Sequence, residues 1–363
     1  MYRESATFGE ILFNVLLFSF LLYLSYKGLN IKVKKNRTLF LVAGIILFSV
    51  FSFWGSDYFH YLEVFQDSKT SHNIHHLEGV YESIMSWTTS YTLFRFLIWG
   101  LAFVLIWLAK KRVNISNEVF LFFFILVFLL RFSYARVSLS LAFLYLGYIL
   151  IMNEGKKRLL SIIVGIVCII AAFTFHRSII LVFVALLLSF FMRNVKIIVL
   201  SLCFLPVVFY VTGDLLYDYI IVNEVITNED TLSAFNTYAQ VTEGSTLSGG
   251  MGEAIGDFLE SFSMYFALVV LFYYIHIKKL VNSKEDKLLF SSYFGVMYIA
   301  SAFYFVTPMI YFRVLYLAML PLVFITANIY HVVGRIKLFK YMVSLFILSR
   351  TYTLLYSLYC SLF

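Results

Sequence analysis

Residues 93–112, LFRFLIWGLAFVLIWLAKKR, decide the fold of this chain. The run 93–109 is apolar apart from Arg95 and contains no acidic residue, and a basic cluster, Lys110-Lys111-Arg112, follows it. A helix of this length, at ~1.5 Å per residue, approaches the ~30 Å thickness of a bilayer's hydrocarbon core. We therefore interpret 93–109 as a transmembrane helix whose basic end faces the cytoplasm.

Runs of similar length and composition recur along most of the 363 residues. Hydrophobic residues make up 62% of the chain and charged residues only 13%, which is far too apolar for a water-soluble domain. The sequence predicts an all-α, polytopic integral membrane protein with about 12 transmembrane helices, within a range of about 11 to 14. The predicted spans are 10–26, 38–55, 93–109, 117–131, 137–152, 159–175, 178–192, 196–212, 258–277, 288–305, 312–330 and 341–360.

Basic residues set the orientation of these spans, because short loops rich in Lys and Arg stay on the cytoplasmic side. Most of the 28 basic residues lie in alternate loops, whereas most of the 20 acids lie elsewhere. The basic loops are 27–37, 110–112, 156–158, 193–196, 278–287 and 335–340. We expect both termini outside the cytoplasm, and the net charge of +8 follows from this topology instead of marking a nucleic-acid-binding surface.

Two predicted outer loops exceed ~15 residues, a length at which loops are usually functional or disordered. They are 56–92 and 213–257, and the second contains eight acids and no Lys or Arg. The cytoplasmic loops are too short to hold a catalytic site. We interpret 1–363 as a single membrane domain whose function lies on the extracytoplasmic side, and a merely solvated acidic loop stays open as the alternative for 213–257.

Several arginines lie outside the basic loops, and an arginine within a span costs ~3 kcal/mol on insertion scales, so its presence indicates a role. The residues that we interpret as substrate-binding on this ground are Arg95, Arg131, Arg136, Arg177 and Arg313. All but Arg131 lie near the outer start of an inward-running helix, where the helix dipole and free N–H groups attract anions. Such a set suits a phosphate or diphosphate, with snorkelling to lipid headgroups or ion pairs to Asp57, Glu78 or Glu260 as alternatives.

The apolar run 119–130 is too short for the membrane, because it covers only ~18 Å of the ~30 Å core. Either its helix extends back toward Val113, or Arg131 and Arg136 are drawn toward the membrane. Both alternatives place the two arginines at or below the level of the outer headgroups.

Two residues near the outer surface have the chemistry to accept a proton. Asp57 directly follows the second span, and its carboxylate suits a general base for a sugar hydroxyl. His176 lies between two spans beside Arg177 and is the competing candidate, because imidazole titrates near neutral pH. Tyr61 suits stacking on a sugar face. An ion pair for Asp57 and an interfacial hydrogen bond for His176 remain the alternatives.

The sequence predicts no metal site and no cofactor. His72, His75 and His76 lie close to Glu78, but their spacing matches no established zinc template, and the three cysteines lie inside apolar spans. P-loops and GxSxG elbows are absent from the sequence, which disfavours ATP-driven pumps and hydrolases.

Short polar motifs recur between about residues 50 and 320, in a fixed order. They are Ser56-Asp57-Tyr58 with Tyr61, Glu78 with Tyr81, Arg136 leading into Ser138-Leu139-Ser140-Leu141-Ala142, the basic turn Lys156-Lys157-Arg158, Phe175-His176-Arg177-Ser178, and Arg313 with Tyr316. In order and spacing the chain resembles the EpsG branch of the Wzy-type polysaccharide polymerases.

This resemblance implies an integral membrane glycosyltransferase of GT-C-like architecture, in the bacterial cytoplasmic (inner) membrane with its active site facing the periplasm or cell exterior. Its donor and acceptor would be oligosaccharide repeat units on undecaprenyl diphosphate, joined into capsule, exopolysaccharide or O-antigen by a metal-independent, inverting transfer. Glu78 and Tyr61 would orient sugar, while Arg136, Arg177 and Arg313 would hold diphosphate. The expected partners are membrane lipid, a flippase and a chain-length regulator, and no nucleic acid.

Two other functions remain open from the sequence. A transporter or flippase of lipid-linked oligosaccharide would place charge near the bilayer midplane and show inverted repeats. Here only Arg350 is a mid-span charge, and no repeat is evident. A membrane O-acyltransferase acting on surface glycan would also use histidine and arginine.

Overall fold

The computed structural model of the protein describes residues 6–29, 35–53, 57–70, 79–113, 115–132, 135–152, 158–176, 179–191, 250–279, 284–303 and 308–362. All regular secondary structure in these ranges is helical, which confirms the all-α prediction.

The helices follow the apolar runs of the sequence. The α-helices are α1 (Phe8–Gly28), α2 (Lys35–Val50), α3 (Asp57–Thr70), α4 (Gly79–Trp87), α5 (Tyr91–Val113), α6 (Asn117–Phe123), α7 (Leu129–Phe132), α8 (Ala135–Met152), α9 (Arg158–Phe175), α10 (Ile179–Phe191), α11 (Gly250–Phe272), α12 (Lys284–Phe303), α13 (Pro308–Leu317), α14 (Met319–Val333) and α15 (Lys337–Cys360). Two π-helical segments also occur, π1 (Phe124–Phe128) between α6 and α7, and π2 (Tyr273–Ile277) after α11.

Several of the described helices have the length and composition to cross a membrane, as an integral membrane protein requires. The five of full length are Phe8–Gly28, Tyr91–Val113, Arg158–Phe175, Ala254–Ile277 and Val314–Val333. Three shorter apolar helices are Asn36–Val50, Val137–Ile151 and Leu289–Ser301. The total of about 12 spans remains a prediction.

The predicted boundaries differ from the helices at several places, and the first is the span 38–55, whose helix α2 ends at Val50. The predicted outer loop 56–92 contains α3 and α4. The predicted acidic loop 213–257 lies outside the described residues up to 249, and its last residues, from Gly250, form the start of α11. The predicted span 312–330 is divided at Ala318 between α13 and α14, because Pro321 has no N–H to bond the carbonyl of Leu317. The predicted span 196–212 also lies outside the described residues.

The chain forms two compact units. The first comprises Met1–Ile180, Val323–Gly334 and Arg350–Phe363, and the second comprises Leu181–Leu322 and Arg335–Ser349. In the second unit, polar contacts join α11 to α12: the Tyr293 hydroxyl donates to the carbonyl of Met264 at 2.5 Å, and the hydroxyls of Tyr265 and Ser301 lie 2.6 Å apart.

The segment from α6 through π1 to α7 lies inside the first unit, and all of its residues from Phe120 to Leu130 are buried. Its sequence is apolar on all sides, as a helix surrounded by other helices requires. The ring centroid of Phe124 lies 5.5 Å from that of Phe103 on α5, and the centroid of Phe120 lies 5.5 Å from that of Phe324 on α14.

This central segment begins at Asn117, where the Ser116 hydroxyl caps the helix by accepting from the Val119 N–H. The helix therefore extends back two residues beyond the apolar run 119–130 and stops short of Val113, which belongs to α5. From Asn117 to Phe132 the segment covers about 24 Å. Arg131 therefore lies in its last turn, where it is half-buried.

α8 and α9 pack against each other through two glycines. A Cβ atom built on Gly147 would lie 2.5 Å from the carbonyl oxygen of Gly165, and one built on Gly165 would lie 2.8 Å from the carbonyl oxygen of Gly147. The two backbones therefore approach more closely than any other residue would allow, as small residues permit between membrane helices.

We predict that Gly147→Ala lowers the free energy of unfolding by ~1–3 kcal/mol, because its methyl group forces α8 and α9 apart. The matched control is Gly100→Ala on α5, where a Cβ meets nothing within 4 Å; helix propensity predicts a gain of ~0.5–1 kcal/mol for that variant. Thermal unfolding of the detergent-purified variants measures both effects. Equal midpoints for Gly147→Ala and the wild type would contradict the close packing.

Candidate active site

Five elements meet at one end of the first unit, which we call the Arg95 end. α2 ends there, α5 and α8 begin there, and α7 and α9 end there. The contacts of Arg95, Trp99, Ser138 and Phe175 described below join these helix ends. α3 and α4 pack on the same end. Many of the residues predicted to handle substrate are therefore carried by elements that come together here.

Arg95 is buried in the first turns of α5, with only 2% of its surface exposed. Its Nε donates to the carbonyl of Val50 at 2.7 Å, and its Nη2 donates to the carbonyls of Ser49 at 2.8 Å and Ser52 at 3.2 Å. Its Nη1 donates to the Tyr91 hydroxyl at 3.1 Å. The guanidinium thus caps the C-terminal end of α2.

This contact explains how an arginine is tolerated at the positive end of a helix dipole. We expected an anion to compensate for that dipole, and the antiparallel neighbour α2 brings its own negative end, with the carbonyls of Ser49 and Val50, to the same place. These contacts give Arg95 a structural role. Its substrate-binding role stays a prediction.

Aromatic rings surround the same guanidinium. Its central carbon lies 4.2 Å from the centroid of Trp99, 4.5 Å from that of Tyr58 and 5.5 Å from that of Tyr91. The Tyr91 hydroxyl donates to the carbonyl of Tyr58 at 2.8 Å, which holds the first turn of α3 against α5. Cation–π attraction is strongest where water is excluded, as it is around a side chain this deeply buried.

The carbonyl of Phe132, the last residue of α7, joins three helices. It accepts from the Trp99 indole N–H at 2.6 Å and from the Ser138 hydroxyl at 2.9 Å. Trp99 belongs to α5 and Ser138 to α8, so one carbonyl group fixes the end of α7 between them. Arg131 is the residue next to this junction, and α8 carries Arg136 in its first turn.

α3 and α4 form a hairpin at the Arg95 end. The Lys69 ammonium, near the end of α3, donates to the carbonyls of Met85 at 2.9 Å and Ser86 at 3.0 Å, and so caps α4. Tyr61 on α3 and Tyr81 on α4 are both buried. The predicted sugar-stacking residue Tyr61 therefore contributes to the packing of this hairpin.

His176 follows the last residue of α9 and is half-exposed. Its N–H bonds to the carbonyl of Ala172 and its own carbonyl accepts from the Ile179 N–H, both at 3.2 Å, so its backbone is held between α9 and α10. The preceding Phe175 ring lies 5.5 Å from Tyr81 and stacks at 5.4 Å on Phe143 of α8. The hairpin and the His176 turn are thus neighbours.

The remaining predicted site residues are placed by their backbone or lie outside the described residues. Asp57 is the first residue of α3, where the helix dipole stabilises a carboxylate. Arg136 lies in the first turn of α8, and Arg313 lies in α13 within the second unit. Arg177 and Glu78 lie outside the described residues, as do His72, His75 and His76. Convergence of the arginines on one ligand therefore remains a prediction.

Within the described ranges, no group of three or more His, Cys, Asp or Glu side chains is arranged to hold a metal ion. The chemistry that these residues offer is that of carboxylate, imidazole, guanidinium and aromatic groups.

Sequence reasoning missed Tyr91, Trp99 and Ser138 at this end of the molecule. A signal for two of them was present, because Tyr91, Arg95 and Trp99 are spaced four residues apart and so share one face of a helix. Aromatic residues on either side of an arginine at this spacing indicate a cation–π stack. Ser138 carried no such signal, since its partner is a backbone carbonyl.

The model of the EpsG family matches residues 36–361, nearly the whole chain. No curated protein matches the chain, and no solved structure matches it.

We predict that Arg95→Met lowers the free energy of unfolding by at least ~1–3 kcal/mol, because it leaves buried carbonyls at the end of α2 without a donor. Arg95→Lys should lie between this variant and the wild type, since an ammonium lacks the planar fork of the guanidinium. Thermal unfolding of the purified variants gives the measurement.

The matched control is Lys69→Met, which removes a cation from a helix C-terminus at an exposed position and should change the midpoint much less. If Arg95→Met unfolds at the wild-type temperature and instead loses affinity for lipid diphosphate, Arg95 is a substrate ligand and the capping role is wrong.

Proposed function

This chain belongs to the EpsG family of Wzy-like polysaccharide polymerases, and from that premise we propose that it joins oligosaccharide repeat units carried on undecaprenyl diphosphate. The family match over residues 36–361 carries this proposal. It is supported by the membrane-length helices, which suit lipid-linked substrates, and by the meeting of polar residues at one end of the first unit. The product would be a surface polysaccharide such as capsule, exopolysaccharide or O-antigen.

We propose an extracytoplasmic location for the reaction, in the bacterial cytoplasmic membrane. The basic clusters support it: Lys110, Lys111 and Arg112 end α5 at the end opposite to Arg95. Short loops rich in Lys and Arg remain cytoplasmic, so the Arg95 end would face outward. An architecture of about 12 spans like that of the GT-C glycosyltransferases would follow.

The chemistry required at this end is the displacement of a lipid diphosphate from an anomeric carbon. The acceptor hydroxyl attacks that carbon, its proton passes to a base, and the bond to the diphosphate oxygen breaks with its electrons remaining on the leaving group. Negative charge develops on the leaving oxygen, and guanidinium groups fixed nearby stabilise it. A direct displacement of this kind inverts the anomeric configuration. It consumes no nucleotide sugar.

Arg131, Arg136, Arg177 and Arg313 are our candidates for holding the diphosphate. Arg131 and Arg136 have the strongest support, because they flank the junction at the Phe132 carbonyl, which joins α5, α7 and α8. Glu78 and Tyr61 would orient the sugar. The partners that we propose are a flippase that delivers the repeat units and a protein that regulates chain length.

Asp57 is our first candidate for the base, and His176 is the second. Asp57 begins α3, whose first turn is held to α5 by the hydrogen bond between Tyr58 and Tyr91. His176 has its backbone bonded on both sides and is half-exposed. Each of the two residues belongs to a backbone segment that hydrogen bonds hold in place.

We predict that Asp57→Asn reduces polymerisation by ~10²–10⁴-fold, the contribution typical of a general base. The measurement is made in cells in which the variant replaces the native protein, by resolving glycan chain length and the pool of lipid-linked repeats. Long chains should disappear and single lipid-linked repeats should accumulate outside the cytoplasm. Glu63→Gln is the matched control, because it makes the same chemical change at an exposed position of the same helix.

The His176→Gln variant separates the two candidate bases. If it loses polymerisation while Asp57→Asn retains it, His176 is the base. Normal chain length in both variants and in the arginine variants would overturn the polymerase proposal. Repeats retained on the cytoplasmic leaflet would instead indicate a flippase, and loss of acetyl groups alone would indicate an O-acyltransferase.

A further inference from the structure

The π1 segment is an interruption in the most deeply buried helix of the first unit. Its residues from Phe124 to Phe128 are between 0% and 1% exposed. The N–H of Leu129 bonds to the carbonyl of Phe124, five residues back, where an α-helix would bond to the fourth. π turns of this kind occur frequently at functional sites.

A π turn adds one residue to a helix, and this determines the direction of every side chain that follows. If π1 relaxed to an α-helix by losing that residue, all later residues would rotate by ~100° about the axis and move by ~1.5 Å. Arg131 lies three residues beyond π1, and Phe132, whose carbonyl joins α5 and α8, follows it. The direction of Arg131 therefore depends on the π turn.

Arg350 contacts this segment directly from α15. Its Nε donates to the carbonyl of Leu126 at 3.2 Å and its Nη2 donates to the carbonyl of Val127 at 2.9 Å. The side chain is 1% exposed and is among the largest fully buried side chains of the described residues. Arg350 lies in the same unit as π1 although more than 220 residues separate them in sequence.

The planar guanidinium suits two carbonyls of consecutive residues, because its N–H groups point in fixed directions within one plane. Consecutive carbonyls within an α-helix already accept from N–H groups four residues on, whereas a π turn displaces them from that pattern. An arginine at the centre of a span is unfavourable unless a polar partner compensates for it. The carbonyls of the π1 segment provide such a partner, and Arg350 in turn stabilises the π turn.

We propose that Arg350 is a positioning residue for the transfer reaction, which holds π1 so that Arg131 and the start of α8 face the lipid diphosphate. This inference rests on the proposed function for its catalytic consequence. Arg350 itself touches no substrate in this mechanism. It acts through Leu126 and Val127 on the end of α7.

The first test compares Arg350→Met and Arg350→Lys as purified protein, with lipid-linked repeats extracted from Asp57→Asn cells as the substrate. For Arg350→Met we expect KM for the repeats to rise by ~10- to 100-fold with a smaller change in kcat, because a ~1 Å misplacement of a binding group has effects of this size. Arg350→Lys should recover part of the loss. An unchanged KM in folded Arg350→Met would overturn the proposal.

A packing control and a deletion separate this role from a general loss of stability. Leu354→Ala removes a buried side chain one turn further along α15 and should lower stability without raising KM. Deletion of Val127 shortens π1 by its extra residue and should raise KM as Arg350→Met does. Combining the deletion of Val127 with Arg350→Met should then raise KM little beyond either change alone. Fully additive effects on KM would show that Arg350 acts elsewhere.

A second measurement needs no polymerase activity. Arg131→Cys is made in a background without native cysteines, and its labelling by a membrane-impermeant maleimide is compared with and without Arg350→Met. We expect the labelling rate to change by tenfold or more when Arg350 is replaced, and a constant rate would overturn the role of Arg350. If neither Asp57→Asn cells nor His176→Gln cells accumulate lipid-linked repeats, the proposed function fails, and labelling alone decides on the positioning role.

Discussion

Every buried backbone carbonyl of a membrane protein must find a donor within the protein, because the hydrocarbon core offers none. Helices meet this requirement along their length, but it reappears wherever a helix ends or is interrupted. The first unit meets it with arginine at two such places. Arg95 donates to the carbonyls at the end of α2, and Arg350 donates to carbonyls of the π1 segment. Both guanidinium groups are buried, and both donate to backbone carbonyls.

The sequence predicted the helical class and most helix positions, because the period and length of apolar runs are local properties. Each predicted span other than 196–212 overlaps helical structure in the described part of the chain, although 312–330 is divided between α13 and α14 and α2 ends at Val50, before the predicted end of 38–55. Interruptions were not predictable in the same way. The break at Ala318 had a signal in Pro321, but the π turn in 124–128 has none, since its stabilising partner Arg350 lies in a distant helix.

The candidate site was predicted from residue type, and the structure adds the contacts of some of its residues. The outward set of arginines was derived from charge topology, and Arg95 and Arg131 lie on elements that meet at one end of the first unit. Arg95 nevertheless donates to Val50, Ser49 and Tyr91, because antiparallel packing places the end of α2 beside it. Sequence alone does not show which helix ends become neighbours, and therefore does not distinguish a ligand for phosphate from a cap for a helix.

The glycine contact between α8 and α9 has a mechanical consequence for a polymerase. Because the backbones of Gly147 and Gly165 are in contact, α8 and α9 form one closely packed pair of helices. Arg136 lies at the start of α8, and His176 lies just past the end of α9. A tilt of this pair of helices moves both residues together and preserves their spacing, whereas the hairpin of α3 and α4 is held to α5 and α9 by the separate contacts of Tyr58 and Tyr81.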